Sequence, residues 1–239
     1  MLKADLHIHT IASGHAYSTI QESAMYASSM KVEVIAITDH GPSMEGSPSV
    51  GYFGNMSRIP RKMNGLNILM GCEANVIDFS GNIDLGKEIA EGLDIVLVGL
   101  HKLTPYPSNS SLTDNTRALI KAITSNRVHI ISHPYRLDFP VDITELANVA
   151  SDQGVLLELN LSLLKLFGTN KDLLNQIKLM IEVAEKLNVG IVISSDAHIA
   201  TEIGDDSVLS DLDIHLPKGL VLGEQNGYTE VREFLTSRG

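Results

Sequence analysis

The stretch from Asp5 to His15, DLHIHTIASGH, decides how the fold and chemistry of this 239-residue chain are interpreted. Residues 4–9 are predicted to form a strand, in which every second side chain points to the same face, so His7 and His9 project together. Two neutral imidazoles on one face are able to bind one metal ion. A lone histidine is more often an ordinary hydrogen-bonded residue, so the interpretation depends on what accompanies this pair.

The composition describes a folded globular protein. Hydrophobic residues make up 44% of the chain and charged residues 20%, which excludes the disordered and fibrous classes. The formal net charge of -11 argues against an extended nucleic-acid surface or an anionic membrane as partner. It does not exclude a small phosphorylated substrate, because bound divalent cations reverse the charge inside a pocket.

The cysteine count and the first residues predict a cytoplasmic protein. Cys72 is the only cysteine, so no intrachain disulfide forms and a reducing compartment suits the chain. Residues 1–3 lead straight into the first strand without a charged leader and an apolar segment. No apolar run has the length of a membrane-spanning helix, so no membrane association is expected.

Seven short apolar strands alternate with helical segments, a pattern typical of parallel βαβ units closed into one barrel domain over residues 1–239. The predicted strands are residues 4–9, 34–37, 66–73, 95–100, 128–132, 155–160 and 190–195. The predicted helices are residues 20–29, 55–63, 112–125, 143–153, 172–187 and 229–235. The intervening segment 41–54 is rich in Gly, Pro and Ser and is long enough to serve as a lid or rim.

Metal-binding residue types concentrate at the carboxyl ends of the predicted strands, where a parallel barrel places its active site. They are His7, His9, His40, Glu73, His101, His133, Asp196 and His198, and the loop after the first strand adds His15. Since a zinc-type ion takes three or four protein ligands, nine candidates imply two or three ions. Imidazoles with carboxylates favour zinc, manganese or iron over magnesium or calcium. His129, at a strand start, and His215, in the tail, are predicted to be structural.

The motifs resemble those of the PHP (polymerase and histidinol phosphatase) family across nearly the whole chain. The matching segments are DLHIHT at 5–10, ITDH at 37–40, Glu73, GLH at 99–101, SHP at 132–134 and SDAH at 195–198. Residues 13–19 are similar to the stand-alone phosphatase branch typified by bacterial YcdX proteins. The resemblance implies a distorted (β/α)7 TIM-like barrel with a trinuclear centre. It assigns the ligands as His7, His9, Glu73 and Asp196 for one ion, Glu73, His101 and His133 for a second, and His15, His40 and His198 for a third.

This ligand set predicts hydrolysis of a small-molecule phosphate monoester by a hydroxide shared between ions. Asp39 and Ser195, which adjoin predicted ligands, are expected to orient imidazoles or water, although both also suit strand-end caps. Lys102 and Arg136 follow ligands by one and three residues and are the candidates for contacting the phosphate.

Three alternatives stay open at this point. The first is a phosphodiesterase or exonuclease, which the acidic surface disfavours. The second is hydrolysis of a carbon–nitrogen bond, which in barrels of this kind usually employs a lysine at a mid-barrel strand end, a feature that this sequence lacks. The third is a non-catalytic metal-binding domain. Substrate identity is not predicted, and the apolar segment 220–222 suits either the core or a contact in a homo-oligomer.

Overall fold

The computed structural model describes residues 1–238. None of the helices in this range has the length and hydrophobicity needed to span a bilayer. The strands are β1 (Ala4–Ile8), β2 (Val34–Ile37), β3 (Lys62–Met63), β4 (Leu66–Asn75), β5 (Ile95–Gly99), β6 (Ile130–Ile131), β7 (Leu156–Asn160) and β8 (Ile191–Ser194). The helices are α1 (Ile20–Ser29), α2 (Val50–Gly54), α3 (Lys87–Gly92), α4 (Leu112–Ser125), α5 (Ile143–Gln153), α6 (Leu161–Phe167), α7 (Lys171–Leu187), α8 (Ser207–Asp211) and α9 (Gly227–Ser237).

Seven parallel strands form a nearly closed barrel in the order β1-β2-β4-β5-β6-β7-β8. The two ends of this sheet meet beyond β8, where the His9 N–H donates to the Ala197 carbonyl at 2.9 Å. The short strand β3 pairs antiparallel with β4. The predicted distorted (β/α)7 barrel is therefore confirmed.

The lower half of the barrel is filled by one cluster of buried apolar side chains. This cluster includes Leu69 of β4, Leu97 of β5, Leu156 of β7 and Val192 of β8, and Val231 of α9 packs against it. Since side chains in a strand alternate between two faces, positions two and four residues further along each strand also point inward. The interior thus changes from apolar to polar towards the carboxyl ends of the strands.

β1 contains one residue more than its neighbour β2 in the paired region. Asp5 is in register with Ile35, whereas Ile8 is in register with Ile37, so three steps along β1 match two along β2. Such a β-bulge lets two successive side chains point to the same side. Leu6 packs in the interior cluster while Ile8 packs outside with the helices, and His7 lies inside among the strand ends.

Most predicted helix boundaries are confirmed because they rest on local capping chemistry. The Thr19 hydroxyl accepts from the Glu22 N–H at 3.2 Å while the Glu22 carboxylate accepts from the Thr19 N–H at 2.8 Å, a capping box. α4 and α5 span the predicted residues. α7 begins one residue earlier than predicted and ends at Leu187, where it is capped by Asn188 with a left-handed φ of 54°.

Several local predictions were wrong. The predicted helix 55–63 is a single 3₁₀ turn at Met56–Arg58 followed by β3, because Pro60 cannot continue a helix and the next residues pair with β4. The predicted fifth strand 128–132 shortens to β6. The short helices α3 and α6 were not predicted, and α2 occupies the end of the segment 41–54.

Candidate metal centre

The barrel opens at the carboxyl ends of its strands into a cavity of about 580 Å³. Seven of the nine predicted ligands line this cavity: His15, His40, Glu73, His101, His133, Asp196 and His198. His7 and His9 are buried behind the lining, with 0% and 1% of their surface exposed. The structure therefore brings all nine candidates to one place.

Glu73, at the mouth end of β4, is the side chain that most of the others contact. It is fully buried, and its Oε2 lies 3.2 Å from His7 Nε2 and 3.4 Å from His9 Nε2. The same oxygen lies 2.8 Å from His40 Nδ1. One carboxylate oxygen thus faces imidazoles that follow two different strands.

The other Glu73 oxygen faces the opposite side of the cluster. Its Oε1 lies 3.0 Å from the Nε2 atoms of both His101 and His133. A Cβ on Gly99 would lie 2.8 Å from His101 Cε1, so the missing side chain leaves room for this ring. His133 is turned inward by a backbone φ of 33°, which non-glycine residues rarely adopt.

Asp196 completes the set beside β1. Its Oδ1 lies 3.1 Å from His9 Nε2 and 3.5 Å from His7 Nε2, and its φ of 52° is also left-handed. His7, His9 and Asp196 place one ligand atom each within 4.8 Å of one another, and so do His9, His40 and His198. Several overlapping groups of potential metal-binding atoms therefore lie in one cavity.

His15 is held over the mouth by a close contact between two loops. Gly14 has a φ of 79°, and a Cβ there would lie 2.4 Å from the Gly46 carbonyl oxygen, so only glycine fits. His15 is exposed, yet its ring centroid lies 5.1 Å from that of His40 and 5.0 Å from that of His198. The loop therefore brings a further imidazole to the rim.

The donor atoms of the cluster fit a cation. His7 Nε2 and His9 Nε2 face each other at 3.0 Å, and His101 Nε2 and His133 Nε2 at 3.2 Å. At most one hydrogen fits between two such nitrogens, so lone pairs converge. Within residues 1–238, the buried Glu73 Oε2 has no hydrogen-bond partner of normal geometry. Imidazole nitrogens with carboxylate oxygens at this spacing suit divalent metal ions.

The electrostatics of the side chains favour charged carboxylates in this buried place. Burial opposes ionisation of Glu73, but His7 and other nearby imidazoles hold the pKa of Glu73 well below its usual value. Burial lowers the pKa of His9, but the neighbouring Asp196 and Glu73 carboxylates outweigh it and raise that pKa to about 9. Burial, reinforced by His9, holds the pKa of His40 well below its usual value.

Sequence reasoning missed two polar residues on β7 that support the cluster. Glu158 Oε1 lies 2.6 Å from His7 Nδ1, and its Oε2 accepts from the His133 N–H at 2.8 Å. Asn160 Nδ2 donates to Glu158 Oε2 at 3.2 Å and to Asp196 Oδ2 at 3.1 Å. The signal was available, since these two polar residues alternate with leucines in the predicted strand and so share its inward face.

Asp39 does not line the cavity but contacts His9, a predicted ligand, through a hydroxyl group. Its Oδ1 accepts from the Ser13 hydroxyl and from the Thr10 N–H, both at 2.7 Å, and its Oδ2 accepts from the Tyr52 hydroxyl at 2.7 Å. Ser13 Oγ lies 3.1 Å from His9 Nδ1. This chain of contacts fixes the His9 ring with Nε2 towards the cluster.

Lys102 and Arg136, the predicted phosphate contacts, both line the cavity. Lys102 Nζ lies 2.9 Å and Arg136 Nη2 lies 3.2 Å from the same oxygen, Asp138 Oδ2. Both cations are therefore at the rim, and one carboxylate partly neutralises them.

Ser195 and His129 have contacts that connect neighbouring strands, whereas His215 lies at the surface. The Ser195 N–H donates to Asp5 Oδ1 at 3.0 Å, which ties the end of β8 to β1. His129 Nδ1 accepts from the Val96 N–H at 3.0 Å. The His215 side chain is 84% exposed. Neither histidine belongs to the cavity lining.

Comparison of the sequence with known families matches the PHP domain to residues 5–171. A probable phosphatase of Caldanaerobacter subterraneus subsp. tengcongensis is 40% identical over 240 residues, covering 99% of this chain and 92% of the relative. A probable phosphatase of Proteus mirabilis is 38% identical over 243 residues, covering 100% and 96%. These alignments extend over the full barrel and its carboxyl-terminal segment.

Solved structures share the fold. Histidinol phosphate phosphatase from Lactococcus lactis, complexed with zinc, L-histidinol and phosphate, superposes with a TM-score of 0.62 at 15% identity, covering 99% of this chain and 93% of that one. A chain of archaeal ribonuclease P with mature tRNA has a TM-score of 0.60 at 18% identity, covering 98% and 90%. At these identities the likeness concerns the fold alone.

Proposed function

The chain belongs to the PHP domain family, and from this premise we propose that it is a metal-dependent phosphatase that hydrolyses a small-molecule phosphate monoester. The observation that carries the proposal is the position of Glu73, which contacts imidazoles on both sides of the cavity. A carboxylate in that position suits a ligand shared between two ions. The relatives at 36–40% identity are named probable phosphatases.

We propose three zinc ions, manganese and iron being the other metals that suit the donors. The proposed ligands are His7, His9, Glu73 and Asp196 for the first ion, Glu73, His101 and His133 for the second, and His15, His40 and His198 for the third. Contacts of 3.0–3.5 Å within each of the first two groups, and ring centroids 5.0–6.5 Å apart in the third, support this division. His9 and His40 also approach neighbouring groups, as expected for ions that lie close together.

Ions held in these positions would lower the pKa of a water molecule and neutralise the negative charge of the phosphate. Glu158 orients His7, and Ser13, backed by Asp39, orients His9, so that both rings present Nε2. In the proposed reaction a water oxygen bonds to phosphorus, the phosphorus–oxygen bond of the ester breaks, and the alcohol leaves with a proton.

Lys102 and Arg136 are proposed to bind the non-bridging oxygens of the phosphate. Both line the same cavity as the ligands, and the planar guanidinium of Arg136 suits two parallel hydrogen bonds to a phosphate. Asp138 holds both cations near the mouth and would have to share them with the substrate. Residues 1–239 are proposed to form a single catalytic domain.

The test is release of inorganic phosphate from 4-nitrophenyl phosphate and a panel of small phosphate monoesters, with protein whose bound metal is quantified by mass spectrometry. We expect metal-dependent release, and its loss together with bound metal in the double variant His101→Ala, His133→Ala. The matched control is His215→Ala, which removes an exposed imidazole outside the cavity and should retain both. Circular dichroism of the double variant checks that the barrel is folded.

Failure of metal-loaded protein to hydrolyse any monoester would overturn the proposal. Release from bis(4-nitrophenyl) phosphate alone would replace it with a phosphodiesterase. Full metal loading with no turnover of either ester class would indicate a non-catalytic metal-binding domain.

A further inference from the structure

A second, apolar pocket lies next to the metal cavity and shares Arg136 with it. This pocket has a volume of about 220 Å³ and is lined by Arg136, Leu137, Asp138, Leu163, Phe167, Asn170 and Leu173. Four of these seven residues are large apolar side chains. The metal cavity, by contrast, is lined mainly by imidazoles and charged groups. The two spaces therefore offer different chemistry on the two sides of one arginine.

Helix α6 connects this pocket to the metal cluster. Its amino-terminal cap is Asn160, whose Oδ1 accepts from the Leu163 N–H at 3.0 Å while its Nδ2 donates to Asp196 at 3.1 Å. A helix rises 1.5 Å per residue, so Phe167, at the end of α6, lies about 10 Å from this cap along the helix axis. A molecule of modest length is able to reach from the cluster to the pocket.

Two of the four apolar side chains of the pocket are open to solvent, whereas Leu173 is buried. Phe167 is 52% exposed and Leu137 is 43% exposed. Large exposed apolar groups beside a catalytic cavity are typical of ligand-binding surfaces. Their exposed area would be covered by an apolar part of the substrate.

Two of the polar groups in the wall of the pocket, the Asp138 carboxylate and the Asn170 side-chain oxygen, already have partners. The Asp138 carboxylate is paired with Lys102 and Arg136 at 2.9 and 3.2 Å. Asn170 Oδ1 accepts from the Asp172 N–H at 2.9 Å as the cap of α7. A sugar-like group would leave several hydroxyls without hydrogen bonds against the leucines, which is costly, whereas an alkyl or aryl group would not.

We propose that this pocket binds the leaving group of the substrate, and that the substrate class is phosphate monoesters of apolar alcohols. The inference rests on the proposed phosphatase function and adds the chemistry of the alcohol. At about 30 Å³ per non-hydrogen atom, the volume of a water molecule in the liquid, the pocket accommodates about seven such atoms. The phosphate lies against Arg136 on the cavity side, and the alcohol departs along the apolar side.

The test is kcat/KM for a series of methyl, propyl, butyl and hexyl phosphate with zinc-loaded protein. Burial of one methylene contributes about 0.8 kcal/mol, so we expect kcat/KM to rise about threefold to fourfold per methylene until the pocket is full. The variant Leu137→Ser, Phe167→Ser should flatten this increase, so that hexyl phosphate loses most of its advantage over methyl phosphate. Both side chains are largely exposed, so the fold should tolerate their replacement.

Leu166→Ser is the matched control, because Leu166 lies on the same helix, is 69% exposed and does not line the pocket. It should retain the dependence on chain length.

Hydrolysis of methyl and hexyl phosphate with equal kcat/KM would overturn the inference and leave the phosphatase function intact. A change of oligomeric state in the double variant, measured by light scattering, without a change in chain-length dependence would make the pocket a subunit contact and would also overturn it. Failure to hydrolyse any ester of the series would overturn the proposed function itself.

Discussion

His129 and His133 flank β6 at opposite ends of the barrel, and both are buried, with 1% and 4% of their surface exposed. At the amino end, His129 Nδ1 accepts a hydrogen bond from the Val96 N–H at 3.0 Å. At the carboxyl end, His133 Nε2 faces the Glu73 carboxylate at 3.0 Å. Two identical side chains four residues apart therefore have unrelated roles, one in the fold and one in the candidate centre.

The charged groups around the two histidines also differ. Burial, reinforced by Arg127 and Arg238, lowers the pKa of His129 to about 3, so its ring is neutral and accepts a hydrogen bond. Arg127 and Arg238 in turn donate to backbone carbonyls. Carboxylates surround the imidazoles at the other end. Position along the strand, and not residue type, decides which histidines meet carboxylates.

The largest effect is expected at the carboxyl end from Glu73→Gln. The amide keeps the size of the side chain but removes the negative charge of the carboxylate that the surrounding imidazoles contact. We expect kcat/KM to fall by at least about 1,000-fold and bound metal to decrease, measured by phosphate release and mass spectrometry. Glu91→Gln, at an exposed carboxylate, should change neither. Full metal content and turnover in Glu73→Gln would show that the Glu73 carboxylate at the carboxyl end of the barrel is not needed for the metal centre.

A smaller effect is expected from Glu158→Gln, which weakens the hydrogen bond that orients His7. Loss of such a supporting contact typically costs about 10- to 100-fold in metal affinity. Competition with a chromophoric chelator measures this change, and Glu145→Gln on the exposed start of α5 is the control. Unchanged affinity would assign Glu158 a purely structural role.

At the amino end, the pH dependence of stability isolates His129. Its pKa is about 3 in the folded chain and about 6.5 in the unfolded chain, so between these values the unfolded state binds more protons. The contribution of His129 to the free energy of unfolding is complete above pH 6.5 and is lost as the pH falls. The loss amounts to about 2 kcal/mol at pH 5. Urea unfolding should therefore show a smaller loss of stability over this range in His129→Asn, whose Oδ1 corresponds in position to the Nδ1 that accepts from Val96. Parallel pH curves for the two proteins would contradict this assignment.

The smallest effect is expected from Ser13→Ala, which breaks the contact between Asp39 and His9. One hydrogen bond of this kind contributes about 1 kcal/mol, so metal affinity should fall about fivefold. Ser125→Ala, at the exposed end of α4, is the control. A loss as large as that in Glu158→Gln would mean that the hydroxyl contributes more than orientation.

The sequence by itself determined the barrel and most of the strand-end positions. Alternation along a strand places His101 on the same face as the interior Leu97, and Asp196 on the same face as the interior Val192. Helix ends followed from local capping groups such as the Thr19–Glu22 pair and Asn188. These features depend on neighbours within a few residues, and so a single sequence contains them.

Only the tertiary structure decided the features that break this alternation or join distant segments. The bulge in β1 turns His7 inward beside Leu6, and the left-handed backbone at His133 turns that ring towards Glu73. Glu158 meets His7 across 151 residues of sequence. The physical reason is that bulges, unusual backbone angles and such contacts are stabilised by packing and hydrogen bonds between strands, which no local pattern of residues encodes.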